Sequence, residues 1–309
     1  MSSSSCMLAV DDPLFFTGNN SRRIIPNLTF LPRAAVEQQR KLVIHTAIVL
    51  GVPITLITQD TELRRALYYF QRPVYAISYI VLLLFSLVMY FLACLVDPGY
   101  LPLSKKKILS LNNNSDEEDI FEDSQMMNKN TNYRHCDFCE VQQPMRSKHC
   151  EDCKRCVRKY DHHCPWLEAC VGERNHKFFW LFLLSIASLI LWTIYITWES
   201  IVYKLEWIQW LESNALLFCD LFVLIVGGMV VFGLLSFHSY LIIQGLTTWE
   251  FVSRDRITYL KYLDDSYNPF DEGCLCNLYH FLFHWKLRRW ETVYAKKADA
   301  QSTSNGGIV

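Results

Sequence analysis

The sequence predicts an all-α membrane protein in which four transmembrane helices carry a two-zinc, cysteine-rich module between the second and third. Two observations predict this. Apolar residues make up 51% of the 309-residue chain, an ordinary proportion, yet they are gathered into long runs. Between the second and third runs, seven cysteines and three histidines crowd the segment from Cys136 to Cys170.

The runs come first. Leu42 to Thr58 is short and carries His45 and Pro53; Val74 to Val96 and Phe178 to Trp198 hold no charge at all; Ala215 to Gly245 holds Asp220 near its start and His238 and Gln244 towards its end. About 20 apolar residues cross the hydrocarbon core, and a helix satisfies its own backbone there. A buried core helix of a soluble protein is a reasonable alternative only for the first run. The first 40 residues lack a basic start followed by an apolar core, so the first span is expected to act as its own anchor rather than as a cleaved signal.

Orientation follows from Lys and Arg. The tail to Lys41 has five, the Asp60–Pro73 loop three, the Gly99–Lys177 loop thirteen, the Glu199–Asn214 loop one, and the tail from Thr247 eight. Basic residues favour the cytosolic side, most reliably in short loops. Both tails and the long loop are therefore expected to face the cytosol, with the weight on the tails and short loops, because the long loop also carries thirteen acidic residues. Three glycosylation sequons, at Asn19, Asn27 and Asn113, then lie away from the lumen and are expected to remain bare.

These features divide the chain into an N-terminal tail (1–41), two spans (42–98), a linker (99–132), the Cys/His module (133–177), two further spans (178–246) and a C-terminal tail (247–309). Within the linker, Lys105, Lys106 and Lys107 precede an Asn run and an acidic cluster; so few apolar residues cannot offset ordering entropy, and a flexible segment is expected. In the tail, Leu278, Phe281, Leu282, Trp285 and Val293 recur at roughly helical spacing, which predicts a short amphipathic helix on the membrane face or against the core, with a helix packed on the Cys/His module as the alternative.

In a reducing cytosolic loop, paired Cys-x-x-Cys spacing points to metal rather than disulfides. A structural zinc takes four Cys/His ligands, so two sites use eight of the ten candidates and leave two. Cys164 and His162 stand in the run Asp161-His162-His163-Cys164, and Asp, His and Cys together are the parts of an activated thiol nucleophile. A plain two-zinc ribbon for binding protein or nucleic acid is the alternative. The position directly before a spanning run argues against it.

The stretch Cys136-x-x-Cys139, His149-Cys150-x-x-Cys153-x-x-Cys156, Asp161-His162-His163-Cys164-Pro165-Trp166, Cys170-x-Gly172 and Asn175 resembles the cysteine-rich domain of DHHC palmitoyltransferases. Three flanking motifs share the resemblance: Asp97-Pro98-Gly99, Thr247-Thr248-Trp249-Glu250 and Asn268-Pro269-Phe270. It runs from about Leu42 to Val293. Glu168-Ala169 departs from it, since the family often has Asn there.

The resemblance implies one zinc on Cys136, Cys139, His149 and Cys156, and a second on Cys150, Cys153, His163 and Cys170. It implies a protein S-acyltransferase with acyl-CoA, palmitoyl-CoA in particular, as co-substrate. Its partners would be membrane-associated proteins bearing cysteines, with no nucleic acid, in the Golgi or endoplasmic reticulum membrane. Cys164 would be the nucleophile, His162 its base and Asp161 the group orienting that base. Phe178, Phe179 and Phe182 are placed to line the mouth of an acyl cavity, and Arg146, Lys148, Lys154, Arg155, Arg158 and Lys159 offer cations for CoA phosphates. Burial worth about 0.8 kcal/mol per CH₂ prefers ever longer chains, so an upper length limit needs a blocking side chain that the sequence does not name. A zinc scaffold or RING-like ligase would need neither Cys164 nor His162. A zinc transporter is disfavoured because the spanning runs offer only His45, Asp220 and His238.

Overall fold

A computed structural model describes residues 33–69, 72–102, 134–264, 267–284 and 286–305. The N-terminal tail before residue 33, the linker lysines, all three sequons and Trp285 lie outside the described residues. Four helices are long and apolar enough to span a bilayer: α1 (Arg33–Thr58), α3 (Pro73–Leu95), α4 (His176–Glu199) and α5 (Trp207–Gln244), with a short α2 (Glu62–Tyr68) between the first two. Pro73 opens α3 at a position where its missing N–H costs nothing. At 38 residues and 1.5 Å per residue, α5 is about 57 Å long against a core of about 30 Å, so it extends past the apolar layer or crosses it tilted.

The spans are tied by a few buried polar contacts among apolar ones. Tyr79 on α3 and Thr193 on α4 share a 2.9 Å hydroxyl hydrogen bond. The Thr55 hydroxyl on α1 donates to Asp220 on α5. Ile77, Val81 and Leu84 on α3 and Phe222, Met229 and Val230 on α5 remain exposed, as lipid-facing side chains should.

Between α3 and α4 sit three antiparallel hairpins: β1 (Arg134–Cys136) with β2 (Val141–Gln143), β3 (Lys148–Cys150) with β4 (Arg155–Val157), and β5 (His162–Cys164) with β6 (Ala169–Val171). Their register places His149 opposite Cys156 and His163 opposite Cys170. Glu168, in the turn of the third hairpin, adopts φ 48°. Asn tolerates this left-handed region far better than Glu, so the backbone here suits Asn and Glu168 occupies it at a cost; the Glu168 carboxylate lies 3.7 Å from Lys41 of α1.

The chain after α5 turns back onto the hairpins. Gly245 ends α5 at φ 70°, and a Cβ there would meet the Phe270 carbonyl at 2.8 Å. Next come α6 (Thr248–Val252) and a 3₁₀ turn (Arg254–Arg256), then α7 (Cys274–Phe283) and α8 (Trp290–Asn305). The expected single amphipathic helix over Leu278–Val293 is thus two helices with a break between them. Among the described residues of that break, Arg288 is tied at 2.8 and 3.0 Å to Glu272.

Candidate active site

Two four-donor sets emerge from the hairpins. Cys136, Cys139, His149 and Cys156 form one; Cys150, Cys153, His163 and Cys170 form the other; within each, the ligating atoms lie inside 4.8 Å of one another. Nδ1 of His149 is 3.2 Å from the Cys139 sulfur, and Nδ1 of His163 is 3.4 Å from that of Cys153. Three thiolates and one imidazole, mostly buried, have the chemistry of a closed structural zinc site. The sets interleave in sequence, so each ties two hairpins together. Each zinc would supply cross-linking and folding energy to them.

Cys164 and His162 belong to neither set. His162 Nδ1 lies 2.7 Å from Asp161 Oδ2, which leaves Nε2 for the Cys164 thiol, its hydrogen-bond partner. Burial works against the His162 cation, but hydrogen bonds to Asp161 and Cys164 outweigh it and raise the ring to about 9. Burial likewise opposes a Cys164 thiolate. The hydrogen bond and charge of His162 overcome that, and backbone groups at Leu167 and Trp166 help, so the thiol falls below its ordinary value. Asp161 is 1% exposed; despite its burial, the neighbouring His176 and the His162 hydrogen bond hold it ionised, well below the usual carboxylate range.

The flanking motifs converge here, and their positions explain their composition. Thr248 holds Asp161 with its backbone N–H (2.9 Å to Oδ1) and its hydroxyl (2.8 Å to Oδ2). Thr247 and Glu250 form a capping box that starts α6. Asp97 accepts from the N–H groups of Gly99 and Tyr100, both at 2.9 Å, in a tight turn. Gly172 packs against that turn, where a Cβ would lie 2.6 Å from the Pro98 carbonyl. Asn175, fully buried, donates to the carbonyls of Ala93 (3.0 Å) and Cys170 (2.9 Å) and accepts from Gly172 N–H (2.9 Å). One side chain thereby joins the end of α3, the hairpins and the start of α4.

The aromatic candidates divide. Phe179 is 3% exposed, with its ring 5.4 Å from that of His162. Phe182 packs 5.3 Å from both His45 and Tyr90. Phe178 is half-buried against the core cluster that holds Cys164, Phe179 and Phe182, with Lys177 Nζ 5.3 Å from its ring. His45 and Tyr90 stack at 3.7 Å, and Trp166 Nε1 donates to His45 Nδ1 at 3.2 Å, so the first span reaches the Cys164-Pro165-Trp166 turn. Buried Cys94 shares the core cluster with Cys164.

The cation candidates fit less well. Arg146 is 3% exposed; its guanidinium pairs with Glu250, donates to the Gly245 carbonyl at 2.9 Å, and lies 4.0 Å from the Phe270 ring and 4.4 Å from Trp290. This placement corrects the expectation of an accessible phosphate ligand, since the side chain is enclosed and its charge already compensated. Arg155 donates to the Leu101 carbonyl at 3.1 Å and lies 4.5 Å from Tyr100. Lys148 lies over the Trp249 ring at 3.4 Å. Sequence reasoning named Thr248 and Glu250 without their roles and His238 only as a polar residue of the fourth run, and it missed His176; the Nδ1 atoms of His176 and His238 stand 3.9 Å from the Asp161 carboxylate. No local signal marks those two, because they reach Asp161 from different helices.

The DHHC palmitoyltransferase family matches residues 129–255. The chain is 38% identical over 259 residues to Palmitoyltransferase ZDHHC12 of Homo sapiens, covering 84% of this chain and 93% of that protein. It is 43% identical over 218 residues to Palmitoyltransferase ZDHHC12-A of Danio rerio, covering 71% and 80%. It is also 41% identical over 147 residues to Protein S-acyltransferase 10 of Arabidopsis thaliana, covering 47% and 42%. With a thiol–imidazole–carboxylate array beside two zinc-type clusters on a four-span frame, and with relatives matched over most of its length, this chain belongs to the DHHC palmitoyltransferases and is a protein S-acyltransferase of the membrane.

Proposed function

We propose that the chain transfers a long-chain acyl group, palmitoyl in particular, from acyl-CoA to cysteines of membrane-associated proteins through an acyl thioester on Cys164. The single observation that carries this reading is the Asp161–His162–Cys164 array, which stands apart from both four-donor sets. His162 holds the proton of the Cys164 thiol while Asp161 fixes the ring and balances its charge. The thiolate attacks the acyl-CoA carbonyl; a carbon–sulfur bond to Cys164 forms, the bond to CoA breaks, and CoA leaves with a proton. A substrate thiol then gives its proton up to His162, attacks the acyl-enzyme and releases Cys164.

The zinc-type clusters hold the hairpins on which this array is built. Phe179 and Phe182 flank the route of the chain into the spans, while Phe178 stands at its edge. With Arg146 enclosed, Arg158 paired with Glu173 and Lys159 in a separate cavity, Lys148, Lys154 and Arg155 offer the phosphate contacts. The module of residues 133–177, both tails and the 99–132 linker face the cytosol, where acyl-CoA is found, with the span pairs at 42–98 and 178–246. The membrane is that of the endoplasmic reticulum or Golgi.

Purified protein in phosphatidylcholine vesicles, given palmitoyl-CoA and a cysteine-containing lipidated peptide, should release CoA and acylate the peptide. His162→Ala should lower this rate by about 10²–10⁴-fold. Full turnover without His162 would sink the assignment of the base.

A further inference from the structure

A cavity borders His176, whose Nδ1 faces Asp161. It has a volume of about 350 Å³, and neither Cys164 nor His162 lines it. Its walls come from the ends of three spans and from the chain that follows them. Val96 closes α3, Phe178 opens α4, Ile242 closes α5 and Phe281 comes from α7. These four make one side apolar. The rest of the lining carries Lys159, Arg174, Lys177, Lys286 and Arg288 against Glu173 and Glu272, so its charges do not cancel.

Glu173 is fully engaged: it accepts from Arg158 Nε at 2.8 Å, from Trp290 Nε1 at 3.0 Å and from the Arg288 backbone at 3.2 Å. Glu272 is held by the Arg288 guanidinium. Arg174 pairs with Asp97 at 3.2 Å. Lys177 lies 5.3 Å from the Phe178 ring, and Lys159 and Lys286, which also line the cavity, have no ion-pair partner among the described residues. Lys159 is partly buried with its ammonium 4.8 Å from the Trp290 ring. Burial, with Arg146 next in effect, draws its pKa down to about 8. The ammonium remains mostly charged at neutral pH, and a bound anion would raise its pKa again.

We propose that this cavity is a binding site for one anionic phospholipid, with its phosphate on Lys159 and Lys286 and its glycerol and upper chains against Phe178, Ile242 and Phe281. The chemistry is that of an organic phosphate joined to an apolar body. Its position at the ends of spanning helices favours a bilayer lipid over a soluble phosphate. Basic side chains at a membrane surface each attract anionic lipid by about 1 kcal/mol, roughly fivefold in affinity per charge.

Native mass spectrometry of the full-length protein in detergent, with added dioleoyl phosphatidic acid or dioleoyl phosphatidylcholine, tests this. One phosphatidic acid should be retained per chain in preference to phosphatidylcholine. Lys159→Met should weaken retention about fivefold, and Lys286→Glu, a reversal of charge, more strongly. Millimolar CoA or inorganic phosphate should not displace the lipid. Equal retention of phosphatidylcholine, or unchanged retention in both variants, would overturn the proposal. So would displacement by CoA, which would assign the cavity to a soluble organic phosphate. Zinc content of two per chain reports whether Lys159→Met is folded; if it falls, the exposed Lys286→Glu variant decides alone.

Discussion

Arg146 offers a sharp test of how the site is built, because two roles for it predict opposite behaviour. The structure encloses it: its side chain and that of Glu250 are each 1% exposed, and it is sandwiched near Phe270 and Trp290. Arg146→Ala would leave the Glu250 carboxylate buried with no cation. Breaking such a pair from one side typically costs about 3–5 kcal/mol, and each lost ring contact adds about 0.5–2 kcal/mol. Glu250 also caps α6, whose first residue holds Asp161, so the damage reaches the active site. The double variant Arg146→Met with Glu250→Met replaces both charges by apolar volume and should recover part of the loss. The assay is thermal unfolding in detergent followed by tryptophan fluorescence, beside the KM for palmitoyl-CoA. The expected order of midpoints is wild type, then the double variant, then Arg146→Ala. An unchanged midpoint with a raised KM would refute this reasoning and return Arg146 to CoA binding.

The histidine pair should separate: His163→Ala releases zinc and destabilises the protein, whereas His162→Ala keeps two zincs and loses rate, as metal analysis and turnover would show. Equal zinc loss would mean the pair has been divided wrongly. The lowered Cys164 pKa means that the thiolate persists below the ordinary thiol range. Alkylation of Cys164 by iodoacetamide should therefore stay fast as pH falls towards neutrality, where a thiol of pKa about 8.5 slows nearly tenfold per unit; His162→Ala should restore the steep fall. Glycosidase treatment should not shift the native protein, while a sequon with a spacer inserted in the connector between α4 and α5, within 200–206, should be used. Glycan at Asn113 would place the Cys/His module in the lumen and exclude the proposed reaction there.

What could be read in advance follows the range of the interactions involved. Uncharged runs such as Val74–Val96 revealed the spans because a bilayer constrains every residue that crosses it. The same test undershot two ends. Helix α1 begins at Arg33 among charged residues, and α5 begins at Trp207, eight residues before its apolar run, because hydropathy sees the lipid-facing part of a helix and not its extension. Both four-donor sets match the groupings that the resemblance implied, since Cys-x-x-Cys and hairpin register are local features. The packing of the site was not legible. Asp161 is held by Thr248, 87 positions away, and Arg146 by Glu250, 104 positions away. A basic residue beside a zinc ligand looks like a surface cation until its distant partner is known.

Cys164 is the proposed acyl carrier on which every later step depends. After incubation with palmitoyl-CoA, peptide mass spectrometry of the full-length protein should find a hydroxylamine-labile palmitoyl group on Cys164. Cys164→Ser should bind two zincs, unfold at the wild-type midpoint and neither take the label nor transfer it. A Cys164→Ser protein that still acylates substrate, with the labile label on Cys94 or another cysteine, would contradict the account at its centre.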